Sequence, residues 1–110
     1  MWLLRHTIEI MSTSHVLAVS GTVLLREKLA LPSGGVVTVK LVDHTGEVLA
    51  GTSVDAENGP TPFTLQADPS DVAGKLLLWA RLRSEAGVWG TTEMVPVADD
   101  PTQVVVTRVD

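Results

Sequence analysis

Val36-Val37-Thr38-Val39-Lys40-Leu41-Val42 runs into Asp43-His44-Thr45-Gly46 and then into the stretch from Val48 to Asp55. The first run puts Val37, Val39 and Leu41 on one side and Thr38 and Lys40 on the other. That period of two belongs to a strand with one buried face. The four residues after it carry hairpin chemistry. Asp43 is placed to accept from its own backbone in an Asx-type turn, and Gly46 supplies a positive φ. This strand-turn-strand unit sets the class of the chain.

The same grammar extends outward in both directions. Residues 16–26 read as a first strand, with Gly21 as a bulge or a point of close approach. Leu31-Pro32-Ser33-Gly34-Gly35 turns it into the Val36 run. Glu57-Asn58-Gly59-Pro60 ends the 48–55 strand. Residues 62–67 form a short edge strand, because Pro62 cannot donate to a ladder. Asp68-Pro69-Ser70-Asp71 offers an N-cap and a proline at the first helical position, so one helical turn is expected before Gly74. Residues 75–84 alternate again: Leu76, Leu78, Ala80 and Leu82 face one way, and Leu77, Trp79, Arg81 and Arg83 the other. Strands at 88–97 and 103–109 follow, separated by Asp99-Asp100-Pro101.

Seven strands at this spacing predict an all-β domain, an immunoglobulin-like antiparallel β-sandwich. With no helical crossover between strands, parallel pairing is not expected. The expected core is Val37, Val39, Leu41, Phe63, Leu65, Leu76, Leu78, Ala80, Leu82, Trp89, Val104 and Val106. Residues 16–110 make one domain, and residues 1–15 an N-terminal extension. There Trp2, Leu4, Ile8 and Ile10 alternate with Leu3, Arg5, Thr7 and Glu9, which predicts an added strand. The rival account starts the natural protein at Met11.

Composition agrees with the pattern. Among 110 residues there are 17 Val and 12 Thr, against two Ile, one Phe and no Tyr. Val and Thr are stiff at χ1 and sit well on a pleated surface. A net charge of -5 gives no electrostatic footprint for nucleic acid or anionic lipid. Cysteine is absent, so there is no disulfide, thiolate metal site or lipid-acceptor thiol. Arg5, His6 and Glu9 interrupt the apolar start, so it does not read as a signal peptide. No stretch approaches the roughly 20 apolar residues of a membrane span. The expectation is a cytoplasmic protein.

Three stretches together resemble the YscW/YbaY-type lipoprotein family. The first is Val19-Ser20-Gly21-Thr22-Val23 leading to Arg26-Glu27, Leu31-Pro32 and Val36-Val37-Thr38-Val39. The second is Pro62-Phe63 with Leu65, then Asp68-Pro69 and Val72. The third is Gly87-Val88-Trp89 ending at Pro96-Val97. The resemblance spans residues 16–109 and implies a small immunoglobulin-like sandwich without enzymatic activity. Members with an understood role act as pilotins that help place secretin subunits of a secretion system. They are membrane-anchored through a lipidated cysteine, and this chain has no cysteine.

The residues themselves argue against chemistry. His6, His15 and His44 are the only histidines, and no Gly-x-Ser-x-Gly elbow accompanies them. Asp43, His44 and Glu47 crowd one turn without a fourth ligand, and Asp99, Asp100 and Asp110 lack the spacing of a calcium loop. Ser33-Gly34-Gly35 leads into a strand rather than a helix N-terminus, so it makes no phosphate cradle. Arg26-Glu27 reads as a strand-end pair. No cofactor is expected. The expected function is a non-catalytic interaction or chaperone-like domain, the alternatives being a small-ligand carrier between the sheets and an enzyme. The candidate interaction surface is Leu77, Trp79, Arg81 and Arg83, because Trp and Arg are enriched in interface hot spots. A structural account of the same residues has an arginine stem or the N-terminal segment covering Trp79. The partner expected is a protein or peptide segment, or a second copy through an edge strand or the N-terminal segment.

Overall fold

Phe63, Leu78 and Val104, from three distant parts of the chain, lie in one buried cluster. The strands that carry them are seen in a computed structural model, which describes residues 17–26, 34–68, 74–97 and 102–109. Among the described residues there are eight strands: β1 (Leu17–Leu25), β2 (Val36–Val42), β3 (Val48–Asp55), β4 (Thr61–Ala67), β5 (Leu77–Ser84), β6 (Gly87–Gly90), β7 (Val95–Pro96) and β8 (Thr102–Arg108). Their order is β3-β2-β5-β6-β8-β1-β4, with β7 attached to β5. The path curls until its two ends, β3 and β4, lie in contact. The result is a nearly closed, barrel-like sheet, lined by the apolar side of each strand.

The core is the one that alternation predicts, with one exception. Val37, Val39, Leu41, Phe63, Leu65, Leu78, Ala80, Leu82, Trp89, Val104 and Val106 are all buried, while Leu76 is only half-buried at the edge of the cluster. Val19 and Val23 join them from β1. The β2–β3 hairpin also stands as read, with a register shift between Leu41 and Val42. β4 lies at an end of the path, as Pro62 requires.

Three expectations change. Parallel pairing does occur: β1 runs parallel to β8, from Gly21 opposite Thr102 to Leu25 opposite Val106. A parallel pair needs a long return path, but that path need not be a helix. Here the whole intervening fold supplies it. Second, the strand expected over 88–97 is two strands. Arg81 pairs with Gly90 and Leu78 with Val95, so residues 91–94 of one side face only Trp79 and Ala80 of the other. Thr91 holds this bulge, donating its N–H to the Ala80 carbonyl at 3.0 Å and accepting from the Ala80 N–H through Oγ1 at 3.3 Å. Third, the described residues therefore hold eight strands rather than the seven expected.

β8 serves two neighbours. Thr102–Val106 pair with β1, and Thr107 and Arg108 pair with Gly90 and Trp89 of β6. The added N-terminal strand, the helical turn at 68–73 and Glu27 of the Arg26-Glu27 pair fall on or extend into residues outside the described ones. Arg26 itself is exposed, and its N–H donates to the Val106 carbonyl at 2.9 Å.

Candidate functional site

β2 and β5 are neighbours in the interior of the sheet, so their outward side chains stand side by side on a broad face. The register sets Lys40 opposite Trp79, Thr38 opposite Arg81 and Val36 opposite Arg83. These six residues line an open groove of about 410 Å³. Trp79 is half-buried in its floor. The Lys40 ammonium lies 5.1 Å from the centre of its ring and the Arg81 guanidinium 5.4 Å. Both distances are within cation–π range. Thr38 Oγ1 reaches Ser53 Oγ on β3 at 3.2 Å, which fixes the rim on that side.

Three of the four residues marked by alternation on β5 thus share one groove: Trp79, Arg81 and Arg83. Leu77 does not line it. It sits one row further along, opposite Val42 of β2 and Pro96 of β7. The arginine expected over Trp79 is there, as Arg81, and Lys40 joins it from the other side. Val36, Thr38 and Lys40 were legible as the outward side of β2. What made them part of this site was the pairing of β2 with β5, which strand periodicity does not give.

The turn at Asp43 is structural. Its carboxylate is buried, and Oδ1 accepts from the Thr45 N–H at 2.9 Å, the Thr45 hydroxyl at 2.6 Å and the Glu47 N–H at 3.0 Å. The Thr45 hydroxyl is the largest influence holding its pKa below the ordinary value of 3.8. Desolvation opposes it, and the backbone donors and nearby His44 add to the lowering. Gly46 closes the turn at φ 93°, its N–H on the Asp43 carbonyl at 3.0 Å. Three donors on Oδ1 commit the Asp43 carboxylate to holding the turn. Among the described residues no three His, Cys, Asp or Glu side chains gather to hold a metal ion. No helix among them is long and apolar enough to cross a membrane.

The family model of the type III secretion system lipoprotein chaperone (YscW) matches residues 14–107, nearly the whole chain. The chain belongs to the YscW family. The uncharacterised lipoprotein YbaY of Escherichia coli (strain K12) is 35% identical over 88 residues, which cover 74% of this chain and 44% of YbaY. The YscW-family chain described here therefore matches less than half the length of that relative. An alternative pilotin from the type II secretion system of Vibrio cholerae has the same fold, with a TM-score of 0.72. That likeness covers 86% of this chain and 98% of the pilotin at 23% identity. The family named from three sequence stretches is thus the family of the chain, and its named members are lipoproteins and chaperones.

Proposed function

We propose that this YscW-family domain is a non-catalytic, chaperone-like module that binds a protein segment on the outward face of β2 and β5. The observation that carries the reading is Trp79, set in an open groove between Lys40 and Arg81 on the face opposite the core. A broad aromatic with arginines at its side is the residue chemistry of interface anchors. The family model is that of a chaperone, and the fold is shared with a pilotin. Both fit a module whose work is to hold another chain. We read the curl of the sheet as an immunoglobulin-like sandwich in which β8 is shared by the two layers.

The carrier alternative needs a cavity of roughly 300 Å³ or more between the layers. Phe63, Leu78 and Val104 fill that region as one cluster. A groove of about 410 Å³ lies outside, on the Trp79 face, and this favours a surface interaction.

The test is capture of native partners by the wild-type domain and by a Trp79→Ala/Arg81→Ala double variant with unchanged Tm. Loss of a specifically retained protein from the double variant supports the reading. Equal retention by both removes this face from the function.

A further inference from the structure

Resting on that reading, we infer that the segment bound on the Trp79 face is acidic, with carboxylates seated between Lys40, Arg81 and Arg83 and an apolar residue against the indole. The chain carries 13 Asp and Glu against 8 Lys and Arg, yet three of those eight cations line this one groove. Lys40 and Arg81 both approach the ring of Trp79, at 5.1 and 5.4 Å from its centre, which gathers two like charges at a single indole. Among the described residues no carboxylate is paired with Lys40, Arg81 or Arg83. Asp55 of β3 stands beyond Val36 in the row that ends in Arg83, and Glu93 lies in the bulge across from Trp79 and Ala80. In a protein of opposite overall sign, a cationic groove that no carboxylate of the described residues pairs with is complementary to an acidic partner.

The geometry also selects the shape of the partner. Arg81 and Arg83 are alternate residues of one strand, about 7 Å apart along it by strand rise. Alternate side chains of an extended segment repeat at the same spacing. An extended chain running along β5 therefore presents acidic groups to both arginines in step, while Trp79, next in the row beyond Arg81, and Val36, across from Arg83, offer apolar surface. Arginine forks bind carboxylates bidentately, which adds direction to the charge.

The probes are three fluorescein-labelled peptides of about ten residues, a length that spans one strand, in which successive side chains of one face read Val-X-X so that Val meets Trp79 when X meets Arg81 and Arg83, X being Glu, Gln or Lys. Their binding to the intact domain is followed by fluorescence anisotropy, beside vesicles of phosphatidylglycerol as a separate anionic surface. We expect the Glu peptide to bind at least about tenfold more tightly than the Gln or Lys peptide, and to weaken as salt shortens the Debye length from about 14 Å to about 6 Å. Arg81→Glu and Arg83→Glu should each abolish that preference, and the milder Lys40→Gln and Arg83→Gln should reduce it if a charge reversal impairs folding. Equal binding of the three peptides overturns the inference. So does preference for the vesicles that depends on the same residues, which would make the face a lipid-headgroup site. Loss of peptide and partner binding with Trp79→Ala, but no response to the charge substitutions, overturns the acidic partner and leaves the proposed function standing. Indifference of both peptide binding and partner capture to every substitution on this face overturns both.

Discussion

Phe63 lies directly across from Gly21, its ring tip 2.8 Å from the point a Cβ on Gly21 would occupy. On the other side the same Cβ would overlap the carbonyl oxygen of Thr102. Gly21 is thus the place where β1 is gripped by β4 and β8 at once, and its glycine is required by space. Gly21→Ala should destabilise the domain by about 1–3 kcal/mol or more, the usual range for overpacking. Trimming the ring with Phe63→Leu should not restore stability, because the Thr102 carbonyl remains in the way. Urea midpoints of the single and double variants check this.

Leu78 and Trp79 are consecutive and point in opposite directions, one fully buried and one in the outer groove. Leu78→Ala should cost about 2–5 kcal/mol as a core truncation. Trp79→Ala should cost less than that, since the half-buried ring lines a surface groove. A larger loss at Trp79 than at Leu78 in denaturant titrations would make the indole a structural element rather than a binding anchor.

Much of this could be read from the residues alone. The expected and observed cores agree because β4, β5, β8 and β2 as far as Leu41 alternate, and a period-two pattern names the buried face without knowledge of partners; Val42, buried next to Leu41 where the β2–β3 register shifts, escaped it. Leu76 departs because it precedes β5 and lies at the end of the cluster. Pairing beyond the β2–β3 hairpin was not legible. The parallel β1–β8 ladder arises from strands at opposite ends of the chain, and the break after Gly90 depends on Thr91 finding the backbone of Ala80. The same limit applied to the site. Trp79, Arg81 and Arg83 stood out on their own strand, whereas Lys40 joined them only through the register of β2.

Asp43 ties acid sensitivity to one hairpin. Its folded-state pKa lies below 3.8, so its contribution to stability is present in full above the unfolded value and is lost as pH falls through the folded one. Asp43→Asn should flatten the acid limb of the Tm-against-pH curve and leave the fold intact. Thr45→Val should weaken the same limb by removing the hydroxyl that donates at 2.6 Å. An unchanged acid limb in both variants would place the acid sensitivity elsewhere.

Arg108 covers the far end of the core. Its guanidinium lies 5.3 Å from the centre of the Trp89 ring, and Nη2 donates to the Ala86 carbonyl at 3.0 Å. Arg108→Ala should lower stability by about 1 kcal/mol, combining an exposed cation–π contact with one charged hydrogen bond. Arg108→Lys should recover only part, because an ammonium cannot both lie over the ring and keep the fork geometry. Thermal melts of the two variants separate these contributions.

The double service of β8 has a consequence for how the domain is made. Synthesis delivers β1 first and β8 last, and β1 waits through nearly the whole length of the domain for its parallel neighbour. Until residue 108 emerges, β1 and β6 each present an unpaired edge, the kind of backbone template on which strands of other molecules add. Closure is therefore a late, non-local event, placed after the bulk of this domain has left the ribosome. A nascent chain stalled before Thr102 would expose both edges together.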